Sequence, residues 1–467
     1  MLTGIKMRAY PSKEQKIILS QWMGASRVIW NAKCAEWKYK STYARKYLPI
    51  GTYAEIDASY AQFKNKELTP FLYNVPSEIL KDAANSWRDT MRNFIDPTHI
   101  QKGQAQKKKK DTSGSLFLEK KLFQFIEDAS GNYRLLVGTK KFPVGELTFT
   151  AYRDFKIPNS IRIRKKAGVW WVSFCYDNAV DAKKLLSAKE KLKQFKQLTK
   201  EELYAVTTGV DRGIKVAAHT DREALDYGER EKKKLFLKQL KLKRYQRKLA
   251  RQKLGSNRRD KIKGKLGRMH QKIANAREDF CHKASHKLTK EAGHLIVLED
   301  LKTANMVKRP KAKKNEVTGK YERNGAKRKA GLNKKILSIG WYKLEQFIRY
   351  KAERRDSLLV KVSPQFSSQE CADCGHIHPD NRKTQAEFCC LSCGHRDNAD
   401  ANAAKVLVKR AITLIHSGAE LSAKGVLFLA DTGRGATRKT SDRKRRSRSC
   451  EASKKMEESH LPEALSL

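Results

Sequence analysis

The spacing of apolar residues changes several times along this chain, and each change marks a segment. The first ten residues, ending Met7-Arg8-Ala9-Tyr10, read as a strand that stops at Pro11. Ser12 and Gln15 form a Ser-x-x-Gln capping box, in which each side chain satisfies the other residue's backbone donor, so a helix starts at Lys13. Its pattern continues through Trp22, Val28, Trp30 and Trp37, and a second helical segment runs from Ser77 to Phe94. A basic loop, 102–110, follows. The period then becomes two: Leu116 to Phe125 and Tyr133 to Val137 read as strands, and 161–177 reads as a hairpin turning at Ala167-Gly168. The N-terminal third is therefore β-rich with a helical piece inserted.

Ser187 to Glu202 reads as a linker helix, and from Ala205 the pattern becomes α/β. Val206 to Val210 is a strand running into Asp211, with 213–220 as its hairpin partner. Residues 231–290 form a long helical pair: Leu235, Leu242 and Leu249 step by seven, while Ile262, Leu266, Met269, Ile273, Ala276 and Phe280 step by four and three. A solvated helical hairpin would explain that stripe. It would not explain 22 Lys and Arg against four acids, which predict a face that tracks phosphates. Residues 294–298 are a buried-type strand ending in Glu299-Asp300. Trp341 to Arg355 is helical with Leu344, Phe347 and Ile348 inward, and Leu358 to Val362 is the next strand. Two basic stretches show no core pattern and are expected to lack a fold of their own: 307–336, with twelve basic residues against two acidic, and the tail from Asp431.

Charge sharpens this picture. The 467 residues carry 100 Lys and Arg against 50 Asp and Glu, a formal +50. Solubility requires no such excess, so the pattern points to a polyanionic partner, nucleic acid. No apolar run approaches the roughly 20 residues needed to span a bilayer, and Met1 to Tyr10 has no apolar signal core, so no membrane partner and a cytoplasmic location are expected. Of nine cysteines, five lie between 371 and 393, which fits metal binding in a reducing compartment better than a disulfide frame.

Cys371-x2-Cys374-x15-Cys390-x2-Cys393 has the spacing of a four-cysteine zinc ribbon. Two thiolate knuckles would close a tetrahedron about one Zn²⁺, with Gly375 and Gly394 allowing the tight turn behind each pair. Cys389 is spare, and His376 and His395 are weaker alternative ligands. Four filled positions make such a zinc structural.

Three acids stand out by context: Asp211 and Glu299, each ending an apolar strand, and Asp400, opening a helix. Singly, each has a plain explanation as a turn residue, a lysine partner or a helix cap. Together, on neighbouring strand ends of an RNase H-like sheet, they would form a cluster that needs cations. Hard oxygen ligands suit two Mg²⁺, with Mn²⁺ as substitute, and such a pair serves phosphodiester hydrolysis.

Several of these segments resemble the TnpB family of transposon-encoded RNA-guided nucleases, related to compact type V CRISPR effectors. They are 209-GVDRGIKVAA-218, 296-IVLEDLKTANM-306 and 400-DANAAKVL-407, which are similar to its three RuvC motifs, and 363-SPQFSSQECADCGH-376, similar to its approach to the zinc ribbon. The opening 5–31 and the hairpin 161–177 match as well. The resemblance covers most of 1–430. It implies a multidomain α+β chain: a wedge-type β-barrel (1–10 and 115–185) with an inserted helical recognition domain (11–114), and a linker (186–204). A RuvC-like nuclease domain (205–365 and 397–430) would then be interrupted by the zinc ribbon (366–396), with a basic tail (431–467). It implies catalysis by Asp211, Glu299 and Asp400, with Asn402 orienting Asp400. The expected partners are a guide RNA copied from the transposon end and target double-stranded DNA beside a short adjacent motif, in a monomeric ribonucleoprotein associated with a prokaryotic nucleoid.

The chain departs from the family pattern at two places. Asn398-Ala399-Asp400-Ala401-Asn402 stands where Asp-Arg-Asp-x-Asn is common, which makes Asp397 a candidate for the third carboxylate position. Arg212 stands where an apolar residue is common, and is expected to alter phosphate contact near the metals. Three other readings remain: a compact type V CRISPR effector guided from a CRISPR array, a guide-independent transposase, and an RNA-guided transcriptional repressor. The acid order Asp, Glu, Asp argues against the transposase, and the presence of all three acids against the repressor.

Overall fold

The computed structural model describes residues 2–49, 55–96, 98–99, 103–109, 113–127, 133–177, 186–316, 318–384 and 386–429. The tail expected to lack a fold lies outside these residues. The first strand, β1 (Leu2–Ala9), ends at Pro11, and the Ser12–Gln15 capping box starts the 35-residue helix α1 (Lys13–Tyr47). Gln15 also donates to the carbonyls of Val144 and Glu146, at 3.2 and 2.7 Å, pinning the helix start to a later strand. Helix α2 (Ser77–Ile95) lies against α1.

Seven strands follow: β2 (Gly114–Glu119), β3 (Phe123–Glu127), β4 (Tyr133–Gly138), β5 (Pro143–Leu147), β6 (Phe149–Thr150), β7 (Ser160–Lys166) and β8 (Val169–Asp177). They make a five-stranded sheet in the order β2-β7-β8-β1-β6 and a three-stranded sheet β3-β4-β5. The stretch read as one strand from Leu116 to Phe125 is broken at Lys120–Leu122 by a 3₁₀ turn, which passes the chain from one sheet to the other. Phe125 of the smaller sheet meets Phe155 and Phe174 edge-on, at 5.4 and 5.7 Å. Helices and sheets share one core, since Leu19, Trp22, Ile79 and Leu80 are buried with Met7, Leu116, Ile163 and Val172. The β7–β8 turn falls at Ala167-Gly168, both at positive φ (51° and 81°), the geometry of a two-residue hairpin.

The segment read as a linker is two capped helices, α3 (Ala188–Gln197) and α4 (Lys200–Ala205), whose Leu192, Phe195 and Leu203 join the core of the second half. Next come β9 (Thr207–Asp211), β10 (Ala218–Thr220), β11 (Ala224–Leu225), the basic hairpin α5 (Glu229–Ala250) and α6 (Asn257–Leu288), and β12 (Leu295–Glu299). The stretch 307–336, expected to have no fold, follows the short α7 (Thr303–Met306) and holds a small hairpin, β13 (Lys313–Lys314) with β14 (Tyr321–Glu322). It then enters α8 (Ala326–Ile339). Ile336 and Ile339, one turn apart, give α8 a buried edge that the surrounding charge masks in the sequence. Helix α9 (Trp341–Arg354) and β15 (Leu358–Val362) precede the ribbon strands β16 (Glu387–Cys389) and β17 (Arg396–Asn398). Helix α10 (Ala399–His416) and the hairpin β18 (Glu420–Leu421) with β19 (Leu427–Phe428) complete the described chain.

The second sheet runs β11-β10-β9-β12-β15, with β9, β12 and β15 parallel and β10 and β11 antiparallel. Along β12, Leu295 and Val297 face α3, α4 and α10, while Ile296 and Leu298 face α6, α8 and α9. Both faces are covered, which is why this strand reads as an unbroken apolar run. Parallel β9 and β12 deliver their C-terminal ends, and the acids there, to one edge of the sheet.

Candidate active site

Asp211 ends β9 and Glu299 ends β12 one strand over, close enough for each to shift the other's acidity. Glu299 is 6% exposed and accepts a hydrogen bond on Oε1 from Ser367 Oγ at 3.0 Å. Asp400 arrives from α10. Asn398 is the true cap of that helix, accepting from the Asp400 and Ala401 amides at 3.0 and 3.2 Å, so the Asp400 carboxylate is released from capping. A β-carbon on Gly213 would lie 3.9 Å from Asp400 Oδ2, which places that carboxylate beside the loop leaving Asp211.

The helix that carries Asp400 is seated by a close approach. At Gly209 a β-carbon would meet the Ala404 carbonyl oxygen at 2.1 Å, so only glycine lets α10 lie this near β9. The electrostatics report the crowding. Burial, then Glu299, then Asp400 push the Asp211 carboxyl up to about 7, against the opposing charge of Arg382. Burial likewise raises Glu299, with the Ser367 hydrogen bond and the Arg212 and Arg410 charges acting in the other direction. Two neighbouring acids that resist simultaneous ionisation are a site short of positive charge.

Arg382 supplies part of that charge. It closes the 3₁₀ turn Pro379–Arg382 inside the ribbon, and its Nη2 donates to Asp400 Oδ1 at 2.8 Å. Sequence reasoning missed it, because a lone arginine between two cysteine knuckles gives no local signal. Ser367, four residues before Cys371, was missed for the same reason.

Two sequence expectations change. Asn402 does not orient Asp400. Its fully buried amide accepts from the Ala372 N–H at 2.9 Å and donates to the Glu370 carbonyl at 2.8 Å, tying α10 to the first knuckle. Arg212 does not reach toward phosphate. Its side chain is 1% exposed and turned under the sheet edge to Glu345, at 3.3 Å. Asp397 is engaged by the helix that follows it, its Oδ2 accepting from Lys405 Nζ at 2.8 Å.

The ribbon cysteines converge as their spacing implies. Cys371, Cys374, Cys390 and Cys393 place their sulfurs within 4.8 Å of one another, the one set of metal-ligating side chains so grouped among the described residues. The three carboxylates do not form such a set. Cys371–Cys393 and Cys374–Cys390 sulfurs are 3.7 and 3.6 Å apart, close to the edge of about 3.8 Å that a tetrahedron with 2.3 Å Zn–S bonds requires. Each knuckle closes in the same way: the Gly375 and Gly394 amides donate to the carbonyls of Cys371 and Cys390, with φ of 77° and 74°. Cys389 is exposed, and neither His376 nor His395 belongs to the set.

Three family models match the chain: a probable transposase model over 173–310, a Cas12f1-like TNB domain over 341–407 and a helix-turn-helix domain over 1–43. Over 1–43 the structure shows a strand and one long helix. The putative RNA-guided DNA endonuclease InsQ of Escherichia coli (strain K12) is 27% identical over 411 residues, 86% of this chain and 91% of that protein. The chain is similar to RNA-guided DNA endonucleases of the TnpB type. A second match is the CRISPR-associated endodeoxyribonuclease Cas12f1 of Sulfoacidibacillus thermotolerans, 32% identical over 211 residues, 42% of this chain and 44% of that one. Among solved structures, a Cas12f1–sgRNA–target DNA complex aligns with a TM-score of 0.46 and 12% identity, covering 87% of this chain and 98% of that one. No helix among the described residues is long and apolar enough to cross a membrane.

Proposed function

We propose that this chain is an RNA-guided DNA endonuclease of the TnpB type that hydrolyses a phosphodiester at Asp211, Glu299 and Asp400. The observation that carries the reading is the approach of three carboxylates from distant segments in a half-buried cluster whose charge Arg382 offsets only in part. Oxygen donors at two parallel strand ends and one helix start fit Mg²⁺ or Mn²⁺. When bound, a pair of such ions would stabilise the attacking and leaving oxygens of an in-line displacement. The chain's own residues do the rest: Ser367 fixes one Glu299 oxygen, and Arg382 holds Asp400 and presents a cation toward a phosphate. The four thiolates suit one structural Zn²⁺ that keeps the Arg382 turn in place.

The strand order, with an antiparallel β9–β10–β11 followed by parallel β12 and β15, supports an RNase H-like RuvC domain around the ribbon. The two packed N-terminal sheets support the wedge-barrel reading, with α1 and α2 as the inserted recognition domain. In the α5–α6 pair Leu235, Leu242 and Leu249 are half-buried while most Lys and Arg are exposed, as a nucleic-acid track requires. The names of its relatives support a guide RNA and DNA as partners, and we assign the guide to the transposon end and one chain to each ribonucleoprotein. The test is a plasmid library incubated with the protein and its co-purifying RNA. Guide-matched cuts that vanish in Asp211→Ala, with RNA binding retained, are expected. Joined products would indicate a transposase, occupancy without cuts a repressor, and a guide from a CRISPR array a type V effector.

A further inference from the structure

We propose that Arg212 is a positioning residue that sets the Glu299 carboxylate for metal binding, acting through the Glu299 backbone. The inference rests on the metal-dependent nuclease reading above. The β9–β12 ladder ends at the pair Val210–Leu298, so Asp211 and Glu299 each lie one step past its last rung. Asp211 is still paired outward with His219 of β10, and Glu299 outward with Val362 of β15. Asp211 and Glu299 are not themselves a pair of the ladder, so no rung bridges the two acids directly.

Arg212 links the two strand ends. From the residue after Asp211 its guanidinium turns back beneath the edge, Nη2 donating to the Glu299 carbonyl oxygen and Nη1 to Glu345 Oε2 of α9. Glu345 is itself braced by Arg349 at 3.4 Å and Lys361 at 3.5 Å, and Lys361 holds Asp300, the residue after Glu299, at 3.1 Å. One charged network on α9 and β15 therefore grips both the carbonyl of Glu299 and the side chain of its neighbour. A planar fork fixes two acceptors at a set separation, which a single ammonium cannot do.

Stability alone gives no reason for this arginine. A buried ion pair commonly contributes no more than well-packed apolar residues, and Glu345 would keep Arg349 and Lys361 without it. What an apolar residue could not do is hold the Glu299 carbonyl to the β9 end.

The experiment compares Mn²⁺ binding by calorimetry in the zinc-loaded protein–RNA complex for the parent, Arg212→Met and Arg212→Lys, alongside melting temperature and the Mg²⁺ dependence of plasmid cleavage. A folded Arg212→Met is expected to bind Mn²⁺ about 10–100-fold more weakly, as partners behind metal ligands commonly do when removed. Cleavage should half-saturate at correspondingly higher Mg²⁺, and Arg212→Lys should recover part of the loss. Parental Mn²⁺ affinity in folded Arg212→Met overturns the inference. Should that variant not fold, Glu345→Gln loosens the other end of the fork while keeping an acceptor, and unchanged affinity there overturns it equally. A parent complex that binds Mn²⁺ through Asp211 but never cuts refutes the nuclease reading and leaves the affinity comparison decisive. Binding that survives Asp211→Ala unchanged refutes both.

Discussion

Gly209→Ala inserts one methyl group between β9 and the helix that carries Asp400. The new β-carbon would start 2.1 Å from the Ala404 carbonyl oxygen, 2.9 Å from Val408 Cγ2 and 3.0 Å from the Ala404 carbonyl carbon. Such contacts do not fall below 3.0 Å, so strand and helix must part by about 0.9 Å. Neither yields easily. Ala404 and Val408 are 0% and 1% exposed, and β9 is held on both sides by β10 and β12. Overpacking of this kind costs about 1–3 kcal/mol. Ala404 lies one turn beyond Asp400, so the displacement reaches the third carboxylate, where a misplacement of about 1 Å can lower turnover roughly 100-fold. Thermal unfolding and guide-directed plasmid cleavage are the assays. Gly264→Ala is the control, because its β-carbon would meet nothing nearer than Arg268 Nη1 at 3.8 Å. Alanine in that helix interior should stabilise by about 1 kcal/mol. A Gly209→Ala protein that melts and cuts like the parent would refute the close seating of α10. One that melts lower yet cuts at the parental rate would refute the link from that seat to Asp400.

Other expectations follow from the same geometry. Cys374→Ser removes one of four thiolates, so elemental analysis should show about one zinc lost per chain, and parental zinc content would contradict the ribbon assignment. Arg382→Ala should keep its zinc but cut at least about tenfold more slowly, since a hydrogen bond between charged groups contributes about 1.5–3 kcal/mol; an unchanged rate would make the arginine incidental. Asp211 binds its proton more tightly folded than unfolded, so the metal-free protein should lose stability as pH rises from about 4 through about 7. Asp211→Asn should flatten that slope in pH-dependent melting, and an equally steep slope would remove Asp211 as its source. Replacing exposed Lys241, Arg244 and Lys248 by Gln should lower the salt dependence of nucleic-acid affinity by up to about 0.9 in log–log slope per lost phosphate contact, and an unchanged slope would make the hairpin a scaffold.

Much of this could be read from local patterns. The Ser12 capping box, the two-residue hairpin turn, the apolar run of β12 and the paired cysteine knuckles all occur where their residues indicate, because each is settled within a few positions of chain. Asp211 and Glu299 were legible as acids that end apolar strands. Misreadings arose where the deciding partner is remote. Asn402 sits two residues from Asp400 but is taken by Glu370 and Ala372, and Arg212 by Glu345. Likewise α8 depends on two isoleucines finding a core made by other helices.

By itself, then, the chain's sequence determined most of its elements, the grouping of its four cysteines and its basic charge, since periodicity, spacing and net charge are properties of the chain alone. Only the tertiary structure decided that Ser367 joins Glu299 and Arg382 joins Asp400, that Asn402 serves the ribbon and that Arg212 clasps Glu299. Parallel strand ends and a glycine-seated helix bring together side chains up to 189 positions apart, from Asp211 to Asp400, and no local pattern encodes which remote partner each polar group will meet.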